Sequence, residues 1–590
     1  MQKLVTIALI AVSAVLLFWR LDGAQLWRDE GTTANWGRLM AESGVWIPRV
    51  FDGGQLIVQG ADGHDFNSHF LPAMQSWLQF YVAGLSFKLF GVSEFTARLP
   101  FALLGAASLW ALYRTGVLLF GSGILPLAVP ALAVTSINFL TPVRQCRYYG
   151  LVVFASAFLI LEVVRYLRDP AIAATKSFHA RLAAWGFVLY LSNYVSFAGM
   201  WGALGVTALV LGDRRLIRNL GMLTAGMALV MGLEFWMLHA EFASGWTGSS
   251  QPLAAELRAA LIYRGRDYWR GMPLVLLIPA AFWLYRRGGG TASAPAIGAM
   301  ALGVFAVISP LVLGYGYREA GAWHAALFWP AVAVFALVPA MLAYCWRRLP
   351  DPGLWAKTAM FAALVIVVSP AIGIALAKSL ALTRYFYQFL PAAAILGALA
   401  VAAFHRTAGR PAALALLCAL AVWPNLSSDL SGADGIGHRQ FSRDQSYEGP
   451  FIEYLNANLA PGQEIAFVRN VQGMMAYFYR PDLNWVCLLD HTAARNQRFQ
   501  GKLPDAMFDD YPGAGWYAIW DPRAEKAIGL TDEFEKVWEY SYTPWQSFWD
   551  RNYRAGQRTF EVYQRRSGPA SSPSTKRVMW RSSPWNAPAP

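Results

Sequence analysis

Long apolar runs are the feature that most constrains this chain. Runs of about 15 to 25 residues recur from the N-terminus to about Trp423, and each is long enough to cross a hydrocarbon core as a helix. Of the 590 residues, 56% are hydrophobic and only 14% are charged, which is too apolar for a water-soluble enzyme of this size. The chain is therefore predicted to be an all-α polytopic membrane protein.

The apolar runs predict about thirteen transmembrane helices. They lie at about residues 4–20, 98–119, 123–140, 150–165, 182–194, 195–211, 219–238, 272–285, 296–314, 325–345, 355–376, 383–405 and 411–424. Short basic clusters lie between the runs, so the net charge of +13 indicates the positive-inside bias rather than a nucleic-acid partner. With an odd number of spans, the N-terminus is predicted to be cytoplasmic and the C-terminal part extracytoplasmic, in a plasma (inner) membrane.

The chain is predicted to have three parts. Residues 1–424 form the membrane domain, whose first outer loop covers about 21–97. In residues 425–566, helical patterns alternate with strand-like runs, which predicts a small extracytoplasmic α/β domain. Residues 567–590 are rich in Ser, Pro and Arg, and we expect them to be disordered.

Two adjacent carboxylates, Asp29 and Glu30, follow the first apolar run. Just outside a membrane such a pair is expected to be hydrated, so a solvated loop is one interpretation. In a long outer loop of a polytopic protein, the pair is also a candidate for acid/base or metal chemistry at the lipid–water boundary. Around Trp36 and again in residues 74–85, apolar residues recur at helical spacing. They predict helices that either lie in the membrane interface with their polar faces outward or pack on other loops.

Arginines at predicted outer span ends are candidate phosphate contacts. Arg144, Arg147 and Arg384 lie there, next to Tyr148 and Tyr385. Arginine offers a planar fork of donors to phosphate oxygens and keeps its charge near lipid. The alternatives are that the arginines reach the lipid headgroups and that the tyrosines belong to the interfacial aromatic belt.

The order of short motifs resembles a known family. After one apolar run come LWRDEGTTA (26–34), FGVSEFTARLP (90–100), RQCRYYG (144–150) and RYFYQFLPA (384–392). This order resembles the bacterial C-type (GT-C) membrane glycosyltransferases of family 39, relatives of protein O-mannosyltransferases and lipid A aminoarabinose transferases. The resemblance covers about residues 1–170 by motif and the later spans by architecture. One departure is that the chain has His-Phe-Leu-Pro at 69–72, where the family often has His-Pro-Pro.

The resemblance implies transfer of a sugar from a polyprenyl-phosphate donor to a lipid, glycan or protein acceptor on the outer face. Asp29 matches the family's catalytic aspartate and is expected to be the general base, and Glu30 to orient the acceptor or bind a metal. The resemblance names no certain cofactor and leaves a divalent metal open. The other expected contacts are Arg144, Arg147, Tyr148, Arg384 and Tyr385 for the donor phosphate, and His69, Asp65 and His324 for substrate or metal.

Two other functional classes fit a polytopic chain. One is a transporter or lipid flippase, and the other is a membrane scaffold whose outer domain binds a partner. Transporters usually hold ionisable groups or broken helices near the midplane. Here Glu162 and Glu234 are the main acidic residues near predicted span interiors, and each lies close to an end. The sequence leaves open the sugar, the acceptor and the oligomeric state.

Overall fold

The structure is a computed structural model that describes residues 2–48, 51–52, 55–56, 71–72, 76–239, 353–377, 387–407, 409–431, 448–468, 473–488, 516–519, 534–542 and 558–566. The predicted spans at 272–285, 296–314 and 325–345 lie outside these residues. So do five of the predicted site residues, which are Asp65, His69, His324, Arg384 and Tyr385.

Most of the described chain is helical. The helices are α1 (Gln2–Phe18), α2 (Arg28–Ser43), α3 (Leu78–Phe90), α4 (Glu94–Phe120), α5 (Ala128–Val134), α6 (Ile137–Val143), α7 (Tyr148–Arg168), α8 (Lys176–Ser192), α9 (Tyr194–Leu211), α10 (Arg214–His239), α11 (Leu354–Ala377), α12 (Phe389–Thr407), α13 (Arg410–Ser431), α14 (Glu448–Asn458) and α15 (Gly473–Tyr479). Two 3-10 turns, Leu125–Leu127 and Pro170–Ala174, precede α5 and α8.

Several of these helices are suited to a bilayer. Within the described residues, four are long and apolar enough to cross a membrane, namely α4, α7, α9 and residues Arg214–Glu234 of α10. The shorter apolar helices are α1, α3 and parts of α11 and α12. The chain is thus a multi-pass membrane protein. Among the described helices, α7 is the central one, because it is buried along most of its length and packs on α4, α8 and α12.

The region of the predicted span at 123–140 is a bent pair of helices rather than one continuous helix. α5 and α6 are separate helices that meet at an angle of 66°. At the break, the Thr135 hydroxyl donates to the carbonyl of Ala131 at 2.8 Å, and Ser136 has an extended backbone. A hydroxyl that bonds to the carbonyl four residues earlier favours a bend, and α6 begins in a new direction after it.

Helices α2 and α3 cross with their backbones in contact. A Cβ atom added at Gly37 would lie 2.9 Å from the backbone nitrogen of Gly84, and one added at Gly84 would lie 2.8 Å from the Gly37 carbonyl oxygen. Small residues permit this approach. Beside the crossing, the rings of Trp36 and Phe80 pack edge to face with centroids 4.8 Å apart. The pairing buries much of α2 against α3, which agrees with packing on another part of the outer loop and not with an outward polar face.

The C-terminal residues form a mixed sheet with two helices. The strands are β3 (Glu464–Val468), β4 (Asn484–Leu488), β5 (Trp516–Ile519), β6 (Phe534–Tyr542) and β7 (Arg558–Arg565), while β1 (Phe51–Asp52) and β2 (Gln55–Leu56) form a separate hairpin pair. The sheet order is β4-β3-β5-β7-β6, with β3 parallel to β4 and β5, and β7 antiparallel to β5 and β6. α15 connects β3 to β4 and packs against α2. This contact brings the C-terminal sheet next to the Asp-Glu stretch.

Candidate active site

Glu30 is a fully buried carboxylate in the first turn of α2. Its Oε1 accepts hydrogen bonds from Arg98 Nε and from the backbone nitrogen of Cys146, both at 2.8 Å. Its Oε2 accepts from Arg98 Nη2 at 2.6 Å and from the backbone nitrogen of Trp27 at 3.3 Å. The last bond caps α2, where a negative charge is also favoured by the helix dipole. Glu30 therefore joins α2, α4 and the loop before α7.

Arg98 uses all of its donors within the protein. Nη1 donates to the carbonyls of Leu21 and Ala24 at 2.7 and 2.6 Å, and Nη2 donates to that of Gln25 at 3.0 Å. With the two bonds to Glu30, the five N–H groups of the guanidinium are all used. The side chain is almost completely buried. Sequence reasoning assigned Arg98 no role, although it lies in one of the motifs that carry the resemblance.

Asp29 lies beside Glu30 and is also fully buried. Its backbone carbonyl accepts from Arg147 Nη1 at 3.2 Å and from the Thr33 hydroxyl at 3.4 Å. The expectation of a hydrated loop is wrong, since both carboxylates are 0% exposed and helical. Burial of charge is tolerated when charges of opposite sign and hydrogen bonds compensate for lost hydration. Three buried arginines, 98, 144 and 147, lie around these two carboxylates, so the formal charges of the five side chains leave one positive charge in excess.

Arg147 and Gln79 connect three helices around Asp29. Arg147 Nη1 also donates to the Thr33 hydroxyl at 3.2 Å. That hydroxyl donates to Gln79 Oε1 at 3.0 Å, and the same oxygen accepts from the backbone nitrogen of Tyr148 at 3.1 Å. The Arg147 guanidinium lies 5.4 Å from the centroid of the Tyr148 ring. The first turns of α2, α3 and α7 thus meet beside Asp29.

Arg144 binds the end of α1. Nη1 donates to the carbonyl of Leu16 at 2.5 Å, and Nη2 donates to that of Trp19 at 2.7 Å. A cation is favourable at a helix C-terminus, where carbonyls lack partners within the helix. Burial and the nearby charge of Arg98 lower the pKa of Arg144 to about 10, so the side chain stays charged at neutral pH. Arg144 was predicted to contact the donor phosphate, but both of its terminal nitrogens donate to protein carbonyls.

The structure brings five of the predicted site residues together, which are Asp29, Glu30, Arg144, Arg147 and Tyr148. Among the residues that it describes, no three His, Cys, Asp or Glu side chains are close enough together to hold a metal ion. A metal site built from Asp65, His69 or His324 remains a prediction, because these residues lie outside the described ranges.

The C-terminal sheet contacts this site through α15. The Tyr479 hydroxyl accepts a hydrogen bond from the backbone nitrogen of Leu26 at 2.7 Å, directly before α2. Arg38 Nη1 donates to the carbonyl of Phe478 at 3.3 Å. Burial raises the pKa of Tyr479 well above its usual range, so the hydroxyl is neutral. α15 therefore contacts α2 at two places, just before its start and at Arg38.

No protein-family model and no curated protein matches the chain. Among solved structures, it is similar to ArnT from Cupriavidus metallidurans in the apo state, with 17% identity, a TM-score of 0.47 and coverage of 94% of this chain and 97% of that one. ArnT bound to undecaprenyl phosphate matches with 16% identity, a TM-score of 0.44 and the same coverage. The Archaeoglobus fulgidus oligosaccharyltransferase complex with zinc and sulfate matches with 14% identity, a TM-score of 0.45 and coverage of 91% and 72%.

Proposed function

We propose that the chain is an integral-membrane glycosyltransferase that moves a sugar from a polyprenyl-phosphate donor to an acceptor hydroxyl or phosphate on a lipid, glycan or protein. One observation carries the proposal. Asp29 is fixed between two arginine contacts, because Arg98 holds its neighbour Glu30 and Arg147 binds its backbone carbonyl. The motif resemblance, which includes the Asp-Glu pair, supports the same reaction.

The two carboxylates receive different roles. An acceptor hydroxyl is a weak nucleophile, and a positioned carboxylate takes its proton as the new glycosidic bond forms. Glu30 already accepts four hydrogen bonds on its two oxygens, so we assign it to positioning. Asp29 is then the general base. This replaces the expectation that Glu30 orients the acceptor or binds a metal.

The leaving group is a lipid phosphate that gains negative charge as the sugar departs. Arg147 and the first turn of α7 lie beside Asp29. A helix N-terminus and a guanidinium are both favourable partners for phosphate oxygens. Arg144 adds positive charge from the end of α1 rather than a direct contact. Arg384 and Tyr385 remain expected contacts of the donor.

The proposed topology has about thirteen spans, a cytoplasmic N-terminus and an extracytoplasmic C-terminal domain in the plasma membrane. The positions of charges along α7 support it. Tyr148 begins the helix at the candidate site, whereas Arg165 near its other end pairs with Glu162. Residues 165–181, from the end of α7 to the start of α8, include four Lys or Arg. The site and this basic stretch thus lie at opposite ends of α7, as the positive-inside bias expects.

A lipid transporter or flippase is the second candidate. The bend between α5 and α6 favours it, because transporters commonly use broken helices around their substrate sites. Retained lipid movement without sugar transfer by the purified protein would support this candidate.

Substitution of Asp29 tests the proposal. Asp29→Asn keeps size and polarity but removes the base, so single-turnover sugar transfer from a polyprenyl-phosphate donor should fall by about 10²- to 10⁴-fold. Donor binding should persist because Arg147 is unchanged. Since Asp29 is buried, thermal unfolding is measured in parallel to separate a loss of chemistry from a loss of folding.

The matched control is Asp22→Asn, which removes an exposed carboxylate shortly before α2. We expect this variant to transfer sugar at the wild-type rate. If Asp29→Asn also transfers at that rate, Asp29 is not the base. If the wild type itself transfers no sugar, the transporter becomes the leading hypothesis.

A further inference from the structure

We propose that Gln388 recognises the transferred sugar, donating to and accepting from its hydroxyl groups through the side-chain amide. This inference rests on the proposed function and defines a sugar subsite next to the donor-phosphate site.

The first observation is an unmatched polar group. Gln388 directly precedes α12 and is fully buried. Neither its Oε1 nor its Nε2 has a hydrogen-bond partner among the residues that the structure describes. Buried side-chain amides are nearly always hydrogen-bonded, because leaving one without partners costs its full desolvation penalty. A ligand is the partner that would complete this amide.

The second observation is the position of Gln388 relative to the candidate site. The ring of its neighbour Tyr387 lies 5.1 Å from that of Tyr149, whose ring lies 4.6 Å from that of Tyr148. Tyr148 in turn contacts the Arg147 guanidinium. The starts of α12 and α7 are therefore side by side. In a glycosyl phosphate the sugar is bonded directly to the phosphate, so a phosphate held by Arg147 would bring the sugar toward α12.

The hydrogen-bonding pattern of a side-chain amide suits the sugar better than the other parts of the donor. Oε1 only accepts hydrogen bonds and Nε2 only donates them. A phosphate can satisfy Nε2 but leaves Oε1 unmatched, and a polyprenyl tail satisfies neither atom. A hydroxyl group both donates and accepts, so two neighbouring sugar hydroxyls complete both ends of the amide. Gln388 therefore favours the sugar over the phosphate and the lipid.

The test compares Gln388→Met with the wild type in equilibrium binding by the full-length purified protein. The ligands are undecaprenyl phosphate alone and the same lipid carrying mannose, glucose or arabinose. We expect the wild type to bind at least one sugar lipid more tightly than the bare lipid. The variant should lose about tenfold or more in affinity for that sugar lipid, with unchanged affinity for the bare lipid.

Stability separates recognition from a structural role. Methionine matches glutamine in length and removes the unmatched amide, so the unliganded variant should unfold at the same temperature as the wild type or above it. Gln388→Leu serves as a second variant if Gln388→Met fails to fold. The matched control is Thr358→Val in α11, because Thr358 is also fully buried with its hydroxyl unpaired among the described residues. The control should keep every affinity.

Each remaining outcome is decisive. Unchanged affinity for all the lipids in both Gln388 variants overturns the inference, and so does an equal loss for sugar lipids and bare lipid. Failure of both variants to fold assigns Gln388 a structural role and also overturns it. A wild type that binds bare and sugar-bearing lipids equally overturns the subsite but leaves the proposed function standing. A wild type that binds none of these lipids contradicts the proposed function itself.

Discussion

Two buried carboxylates near opposite ends of α7 are paired in different ways. Glu30, beside the start of α7, binds Arg98, whose side chain is 3% exposed. Glu162, toward the other end, pairs with Arg165 at 2.5 Å and Arg181 at 3.0 Å, and these side chains are 30% and 41% exposed. Glu30 also accepts two backbone N–H groups from different segments. The arginine that pairs with Glu30 is enclosed by protein, whereas the two arginines that pair with Glu162 are partly exposed.

The difference shows what each pair does. Removing the exposed partner of an ion pair costs little stability, because water replaces the lost interaction. An enclosed pair has no such substitute, and breaking it leaves a buried charge without compensation. The Glu30–Arg98 pair therefore fixes the geometry of the turn that carries Asp29. The Glu162 cluster links α7 to α8 through partners that are partly exposed.

Loss of the enclosed arginine should have the largest effect. Arg98→Met leaves the Glu30 carboxylate buried without its main partner, so the free energy of unfolding should fall by about 3–5 kcal/mol. Thermal unfolding of the purified protein measures it. The double variant Arg98→Met with Glu30→Gln removes the orphaned charge and should recover part of the loss. No recovery would mean that Arg98 acts through packing rather than through its charge.

The same substitution at the other end should matter less. Arg181→Met leaves Glu162 with Arg165, and Arg181 is itself 41% exposed. Discounted for solvent screening, the loss should be about 1 kcal/mol or less. The two Arg→Met variants are compared under identical conditions. Equal losses would break the comparison, because they would show that the exposure of the partner does not set the effect.

An ion pair in the C-terminal part, whose carboxylate is exposed, extends the series to its smallest effect. Asp482 is 36% exposed and accepts from Arg480 at 2.8 Å, and this hydrogen bond lowers the pKa of Asp482. A lowered folded pKa contributes stability above the unfolded pKa and loses it as pH falls through the folded value. Asp482→Asn should therefore cost less than about 0.5 kcal/mol near pH 7. The difference from wild type should shrink below about pH 4. A constant difference at all pH values would exclude an ionic contribution.

Arg480 explains why this last effect is small. It also donates to the carbonyls of Leu455 and Leu459 at 2.6 and 2.8 Å, near the end of α14. These bonds persist in Asp482→Asn, so no buried cation is left unpaired.

Local signals were enough to predict much of the membrane part. The predicted spans 98–119, 150–165 and 195–211 fall within α4, α7 and α9, because a continuous apolar run needs no distant partner to be recognised. The bend between α5 and α6 escaped prediction. The apolar pattern continues across the break at Thr135 and Ser136, so it gives no sign of the change in direction.

The candidate site was predicted by position and motif but not by environment. A polar α2 reads as a solvated helix when its partners are unknown, and those partners are far away in sequence. Arg98 is 68 positions from Glu30, and Cys146 is 116 positions from it. No local pattern encodes such pairings. The sequence could therefore propose Asp29 as a base, but not that Glu30 is committed to Arg98.

The hydrogen bond between Leu26 and Tyr479 has a consequence for the order of biosynthesis. Its two residues are 453 positions apart, so the N-terminal helices emerge from the ribosome long before α15 exists. The stretch before α2 therefore lacks this contact until the residues of α15 have been translated. A nascent chain can insert its first helices early, yet α15 reaches the Asp-Glu turn only after the membrane domain has been synthesised. The candidate site is therefore complete only after α15 has been synthesised and has folded against it.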